Sequence, residues 1–288
     1  MTDRVAVVTD STAYLPVGTA ATHGIAVVPV QVVIGGVAHD EDAITPSDVA
    51  DALRAWKPVT TSRPAPQAFL DVYEKLAAAG ATAVVSVHLS AALSSTVESA
   101  HLAARDSSIP IEVVDSRSVG MGLGFPVISA ARVAAGGGDP ASVAQEATKR
   151  AASTREFFYV DTLEYLRRGG RIGAAAALLG SALAVKPLLH VVDGRVETLE
   201  KVRTTSRALA RLEDVAVAAA AAASVDSAAD SRVDVAVHHL ANPARAVELA
   251  ARLAPRIANL GELVVSEVGA VVGAHVGPGM LAVVVAPR

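Results

Sequence analysis

The sequence predicts an α/β protein of two domains, a mostly parallel sheet flanked by helices followed by an α/β domain with a mixed sheet. Three observations carry this. Short β-branched runs alternate with helix-length segments as far as about residue 155, the pattern of a parallel sheet covered on both faces. Past Glu156 the order changes, and two strand-like runs flank Asp193-Gly194, a two-residue turn of the hairpin type that takes positive φ. Hydrophobic residues make up 52% of 288 while aromatics make up 3%, so a large core is available and must be packed from Val, Leu, Ile and Ala. The domains are accordingly placed at 1–155 and 156–288.

The elements follow in order. Residues 4–9 read as a strand that ends in Asp10-Ser11-Thr12, a common place for a ligand loop or for a turn that caps the next helix. A helix over 16–23 and one long strand over 25–34 come next, with Gly35-Gly36 as a hairpin turn. Thr45-Pro46-Ser47-Asp48 starts a helix that runs to about Trp56: a Thr cap, Pro at the first position and an acid in the first turn. Two prolines then argue against regular structure in Val59-Thr60-Thr61-Ser62-Arg63-Pro64-Ala65-Pro66. A helix over 67–79, a buried strand over 82–87, a helix over 97–104 and a strand over 111–115 complete the alternation, followed by helices over 120–135 and 139–153. In the second half, strands are expected over 157–160, 188–192, 196–202, 233–238, 263–267 and 281–286. Helices are expected over 163–168, 173–183, 206–223 and 243–253, and 226–230 reads as a surface loop.

Composition excludes several classes of function. The formal charge of −4 comes from acids and bases that are interspersed, so there is no basic footprint for nucleic acid. There is no Cys, hence no disulfide, thiol nucleophile or thiolate-held zinc. Met1-Thr2-Asp3-Arg4 has no leader-like architecture, and the longest apolar runs are too short or too broken to cross a bilayer, so a cytoplasmic protein without a transmembrane segment is expected. His238 and His239 are adjacent and face opposite sides of a strand, which gives no metal pair. No Gly-Lys-Ser/Thr phosphate loop, Gly-x-Gly-x-x-Gly turn or Gly-x-Ser-x-Gly elbow is present. Neither a metal nor a cofactor is expected.

Five places combine residues that bind anions: Thr61-Ser62; Ser90, Ser94, Ser95 and Thr96; Arg167, Arg168 and Arg171; Lys201-Val202-Arg203-Thr204; and His275-Val276-Gly277-Pro278-Gly279. Hydroxyls give single hydrogen bonds and an arginine can give two in parallel, a suitable cradle for a carboxylate. The stretch from His88 to Ala100 runs from a strand through hydroxyls into a helix whose first N–H groups are unpaired. Each place also has a plainer reading. Ser94 or Ser95 caps the helix, Arg171 caps the helix before it, Arg203 is an exposed hairpin charge, and His275 is a core histidine.

Taken in order, these places resemble the DegV family. The matching stretches are Val7 to Ala13, Thr60-Thr61-Ser62-Arg63-Pro64, His88 to Ala100, Val114-Asp115-Ser116, Tyr165 to Ile172, Lys201 to Thr204 and His275 to Gly279, which together span essentially the whole chain. The resemblance implies a lipid-binding protein without turnover of its own, which holds one long-chain fatty acid and presents it to an ATP-binding kinase subunit that makes the acyl phosphate. It also implies that Thr61 and Ser94 hold the carboxylate, with Arg203 and His275 close by and Ser62, Ser95, Asp10, Ser11 and Arg171 as secondary candidates. The chain departs from the family pattern at Ser95, where glycine is usual, and at Ala65, where serine is usual. Two other readings stay open: a serine hydrolase or acyl transferase using Ser94 and His275 with Asp10 or Asp115 as the orienting acid, and a binder of a small polar ligand of the dihydroxyacetone kinase type.

Overall fold

The computed structural model describes residues 4–178, 186–226 and 232–288. The chain opens with β1 (Val5–Asp10), a short helix α1 (Thr19–Thr22) and β2 (Ile25–Val28). A hairpin of β3 (Gln31–Ile34) and β4 (Val37–Asp40) leads through α2 (Pro46–Arg54) to β5 (Val59–Ser62). Next come α3 (Pro66–Ala78), β6 (Ala83–His88), α4 (Thr96–Ala104), β7 (Ile111–Asp115), α5 (Met121–Ala135) and α6 (Pro140–Ser153). The second half runs β8 (Arg155–Tyr159), α7 (Glu164–Arg168), β9 (Lys186–Val192), β10 (Arg195–Val202) and α8 (Thr205–Asp226). It ends with β11 (Val233–His239), α9 (Pro243–Leu253), β12 (Leu260–Glu267), α10 (Ala270–Val276) and β13 (Leu281–Pro287).

The fold class is the one the alternation predicts. One sheet is wholly parallel, in the order β2-β1-β6-β7, and a mixed one has the order β10-β9-β8-β13-β11-β12. Strands of the parallel sheet all precede Arg155, and the mixed sheet begins there. Helices α5 and α6 lie between the two sheets, where Val7, Val85, Ala130 and Val143 share a core with Ala236 and Val284. Helices α3 and α4 cover the outer face of the parallel sheet through Phe69, Tyr73 and Ala100. Helices α8 and α9 cover the outer face of the mixed sheet through Leu212, Ala216 and Leu249.

Three local expectations need correction. The single strand over 25–34 is two strands in two sheets, because Pro29 falls between them and gives no ladder donor. The stretch Val59–Ser62 is not irregular: it pairs with β3 in a small antiparallel sheet, β4-β3-β5, and its prolines come after the strand. Helix α10 was not anticipated. Gly269 at its start offers no side-chain cap, and the missing acceptor is Glu41, whose carboxylate takes the Val271 N–H at 2.8 Å. The small sheet and α2 rest on α10 through Val32, Val49, Leu53, Ala270 and Ala274, the smallest of the apolar clusters among the described residues.

Other readings stand closer to the structure. Asp193 and Gly194 have φ of 48° and 76°, the backbone of the predicted hairpin turn. Residues 173–178 form a 3₁₀ turn rather than an α-helix, and the rest of the expected 173–183 helix lies outside the described residues. So does most of the expected loop over 226–230. Among the described residues, no helix is long and apolar enough to cross a membrane.

Candidate functional site

A cavity with about 990 Å³ of empty space, its mouth included, opens where the loops after β1 and β6 meet the inner face of the mixed sheet. It lies at the carboxyl ends of parallel strands, where such folds bind ligands. Its walls are mainly apolar: Leu89, Leu93, Val119, Phe158, Leu166, Val191, Val196, Val272, Met280 and Val284 all contribute.

Thr61, Ser62, Ser94, Arg171 and His275 also line the cavity. Strand β5 carries Thr61, and α10 brings His275 to it from 214 residues away, where Thr61 Oγ1 and His275 Nε2 share a hydrogen bond of 2.8 Å. Burial, reinforced by the charge of Arg171, lowers the His275 pKa to about 4, so the ring is neutral near pH 7. Its Nδ1 is buried without a hydrogen-bond partner. Gly169 fixes the ring from the other side. Its φ is an ordinary −74°, so glycine is not there for its backbone freedom; a Cβ would overlap His275 Nδ1. Gly169→Ala is therefore expected to displace the imidazole and break the Thr61 contact. Its histidine ring signals should shift in NMR spectra while the far-ultraviolet circular dichroism stays as in the wild type.

Ser94 follows a turn in which its N–H donates to the Ser90 carbonyl, and its hydroxyl meets Thr96 Oγ1 at 2.8 Å. Neither Ser94 nor Ser95 caps α4 with its side chain, so the plainer reading of this stretch is not realised. Ser95 is exposed with φ −77° and ψ 23°, a backbone that serine adopts without strain. The family's usual glycine is thus not required here by conformation.

Arg171 donates from Nε to the Leu93 carbonyl at 2.9 Å and from Nη1 to the Gly169 carbonyl at 2.6 Å. No carboxylate among the described residues pairs with it, so the cavity wall holds a fixed positive charge. Arg63, at the same mouth, is already paired with Glu98 at 2.5 Å.

Other expected residues are placed elsewhere. Arg203 is exposed in the turn between β10 and α8 and is not part of the cavity wall; β10 ends at Val202, whose buried side chain packs inward under α8. Asp10 is fully buried and accepts from Thr12, from the Leu89 N–H at 3.0 Å and from His88, which holds the ends of β1 and β6 together. Ser11 donates to Glu41 and accepts from the Val30 N–H at 3.0 Å. The arrangement needed for a serine hydrolase is absent. His275 bonds Thr61 rather than Ser94, Asp10 faces His88, and Asp115 accepts from the backbone of Ala91 and Arg117. An acid–imidazole–hydroxyl chain does exist in Asp10, His88 and Ser86, but all three are fully buried and none lines the cavity. The mainly apolar lining of the cavity likewise argues against a small polar ligand.

Four residues that the motifs did not indicate also shape the cavity. Tyr14 donates to Glu41 at 2.9 Å and accepts the Val272 N–H at 3.0 Å, so Tyr14 and Glu41 together seat the start of α10 and with it His275. Burial raises the pKa of both. His238 accepts the Met121 N–H at 2.9 Å and meets Ser266 Oγ at 3.0 Å; burial lowers its pKa to about 4. Glu156 sits on the inner face of β8. Starting that strand two residues earlier in the sequence reading would have put Glu156 on the same face as Phe158.

The DegV family model, described as a family of uncharacterised proteins, matches residues 4–288. A DegV domain-containing protein of Streptomyces coelicolor is 53% identical over 100% of both chains. One of Mycobacterium tuberculosis is 36% identical over 98% of this chain and 96% of its own. Among solved structures, a DegV family protein from Thermus thermophilus, described by its fatty acid binding, has a TM-score of 0.90 at 32% identity, covering 99% of this chain and 100% of its own. DegV from Bacillus subtilis, described as a fatty acid binding protein, has a TM-score of 0.88 at 30% identity over 99% and 100%. With the cavity, its hydroxyl and arginine wall and the whole-chain match all in agreement, the chain belongs to the DegV family.

Proposed function

We propose that this protein binds a long-chain fatty acid, with the carboxylate at Thr61, Ser94, Arg171 and His275 and the acyl chain along the apolar walls. The observation that carries the reading is a mainly apolar cavity in which Arg171, beside the hydroxyls of Thr61 and Ser94, has no acidic partner among the described residues. A carboxylate supplies the missing charge, and the hydroxyls of Thr61 and Ser94 complete its hydrogen bonds. Each buried methylene adds roughly 0.8 kcal/mol, so chain length supplies most of the affinity. The fatty acid binding named for the Thermus and Bacillus relatives supports the same ligand.

The finer reading is that the bound carboxylate is presented to an ATP-binding kinase subunit. There the carboxylate oxygen attacks the γ-phosphorus, ADP leaves, and the acyl phosphate stays with this protein. The resemblance to the family supports it, as does a sequence without a phosphate loop, since the nucleotide site then belongs to the partner. The role requires no cofactor of the chain's own and places it in the cytoplasm with its kinase.

Native mass spectrometry of the purified protein tests the ligand: a copurifying mass matching a fatty acid is expected, and failure to take up palmitate or oleate defeats the reading. Arg171→Met is expected to weaken acid binding by about 10- to 100-fold, the loss of one charged hydrogen-bonding group. Binding of the methyl ester should change far less. Equal losses for acid and ester would mean that Arg171 serves structure alone. For the finer reading, Ser94→Ala should lower acyl phosphate formation in a reconstituted kinase assay while the protein melts as the wild type does.

A further inference from the structure

Deep in the cavity wall stands a carboxyl group that a plain hydrocarbon tail does not satisfy. Glu156 lines the cavity and is 8% exposed. Its Oε1 accepts from the Ser118 hydroxyl and from the Val119 N–H at 3.2 Å. Gly122, in the first turn of α5, leaves room for this oxygen; a Cβ there would overlap it. Among the described residues nothing bonds Oε2, and that oxygen is not sealed from the cavity space as the buried orphan atoms elsewhere are. Val284, the partner of Glu156 across the strand pair, and Phe158, two residues along β8, line the cavity on the same face of the sheet, with His238 one strand further on. Burial raises the carboxyl's pKa to about 7, which makes it a donor as well as an acceptor near neutrality. Glu156 shares no hydrogen bond with Thr61, Ser94, Arg171 or His275, so it is a separate polar point.

We infer that Glu156 selects acyl ligands that carry a hydroxyl group along the chain, which bonds Oε2 while the carboxylate occupies the arginine and hydroxyl wall. The inference rests on the fatty-acid reading above and narrows its ligand to hydroxy fatty acids. A buried carboxyl facing methylenes forfeits its hydrogen bonds, whereas a hydroxyl gives and accepts one and suits either protonation state.

The test is displacement of a fluorescent fatty acid from the delipidated full chain by stearate and by hydroxystearates whose hydroxyl is moved stepwise along the chain. One position, or two adjacent ones, is expected to bind about tenfold tighter than stearate, the worth of one well-made hydrogen bond to a chargeable group. Glu156→Met should abolish that preference, so that no hydroxystearate exceeds stearate in the same variant, and Glu156→Gln, which keeps the acceptor for Ser118 and Val119 and a polar end, should retain part of it. The inference is overturned if no position exceeds stearate in the wild type, a result that needs no variant to fold, or if the preference survives in Glu156→Met. Should stearate and every hydroxystearate fail to bind, the fatty-acid reading itself falls.

Discussion

Replacing Asp234 with alanine is expected to cost about 3–5 kcal/mol of stability, the usual consequence of leaving a buried charge without its partner. Asp234 lies on β11 with 2% of its surface exposed. Its carboxylate takes donors from Arg150, from Arg288 at 2.7 Å and from the Glu262 N–H at 2.8 Å. Burial alone would raise its pKa, but the arginine hydrogen bonds outweigh that and hold it below the usual carboxylate range. Arg150 comes from α6, is 5% exposed, and turns its other nitrogen to Ser129. The pair therefore joins a helix of the first half of the chain to β11, the strand next to the β12 edge of the mixed sheet. Urea unfolding measures the loss. A double replacement, Asp234→Ala with Arg150→Met, should recover much of it, because it removes the stranded charge as well. A single-variant loss below about 1 kcal/mol would show the pair to be unimportant. Fatty-acid affinity of the folded variant should be unchanged, since neither residue lines the cavity.

The second large effect is on the pH dependence of stability. Burial raises the Glu156 pKa to about 7 from its ordinary 4.5, so between these pH values the folded state holds a proton that the unfolded state has lost. Its contribution is complete below about pH 4.5 and disappears as pH rises through about 7, a change of about 3 kcal/mol. His238 and His275 work in the opposite sense. Both are lowered to about 4 from 6.5, so their contribution is complete above about pH 6.5 and lost as pH falls through about 4. Wild-type stability should consequently rise from acid, because two histidines gain while one glutamate loses, and level off from about pH 6.5, where the last of the Glu156 loss cancels the last of the histidine gain. Glu156→Gln should lack the opposing loss, rise more steeply with pH and exceed the wild type by about 3 kcal/mol at pH 8, with the two converging near pH 4.5. Parallel denaturation profiles from pH 5 to 8 would refute a titrating Glu156.

What the sequence revealed and what it hid divide along the distance over which each feature is made. The Asp193-Gly194 turn was readable because two adjacent residues determine it. Thr61, Ser94, Arg171 and His275 were readable as motifs, and the cavity collects all four. Arg203 was equally prominent as a motif, yet where strand β10 stops leaves it in the exposed turn beyond, and no local pattern reports that. Helix α10 was hidden because its cap comes from Glu41, across 230 residues. Glu156 was hidden because one more pair of residues in β8 was needed to see which face it shares.

The cradle is not all attached to one body. Thr61 belongs to the three-stranded sheet, while Ser94, Arg171 and His275 belong to elements with larger cores behind them. That small sheet leans on α10 through few apolar side chains, the bond from Thr61 to His275 and, just past β4, the Glu41 carboxylate on the Val271 N–H. Segments held so lightly open at free energies well below that of global unfolding, on times of microseconds to seconds. Each such opening withdraws one carboxylate donor and part of the wall together, while the arginine and the other hydroxyl stay in place. If the cradle holds a fatty acid as proposed, its exchange is expected to run at the breathing rate of a peripheral sheet, without the rest of the protein loosening.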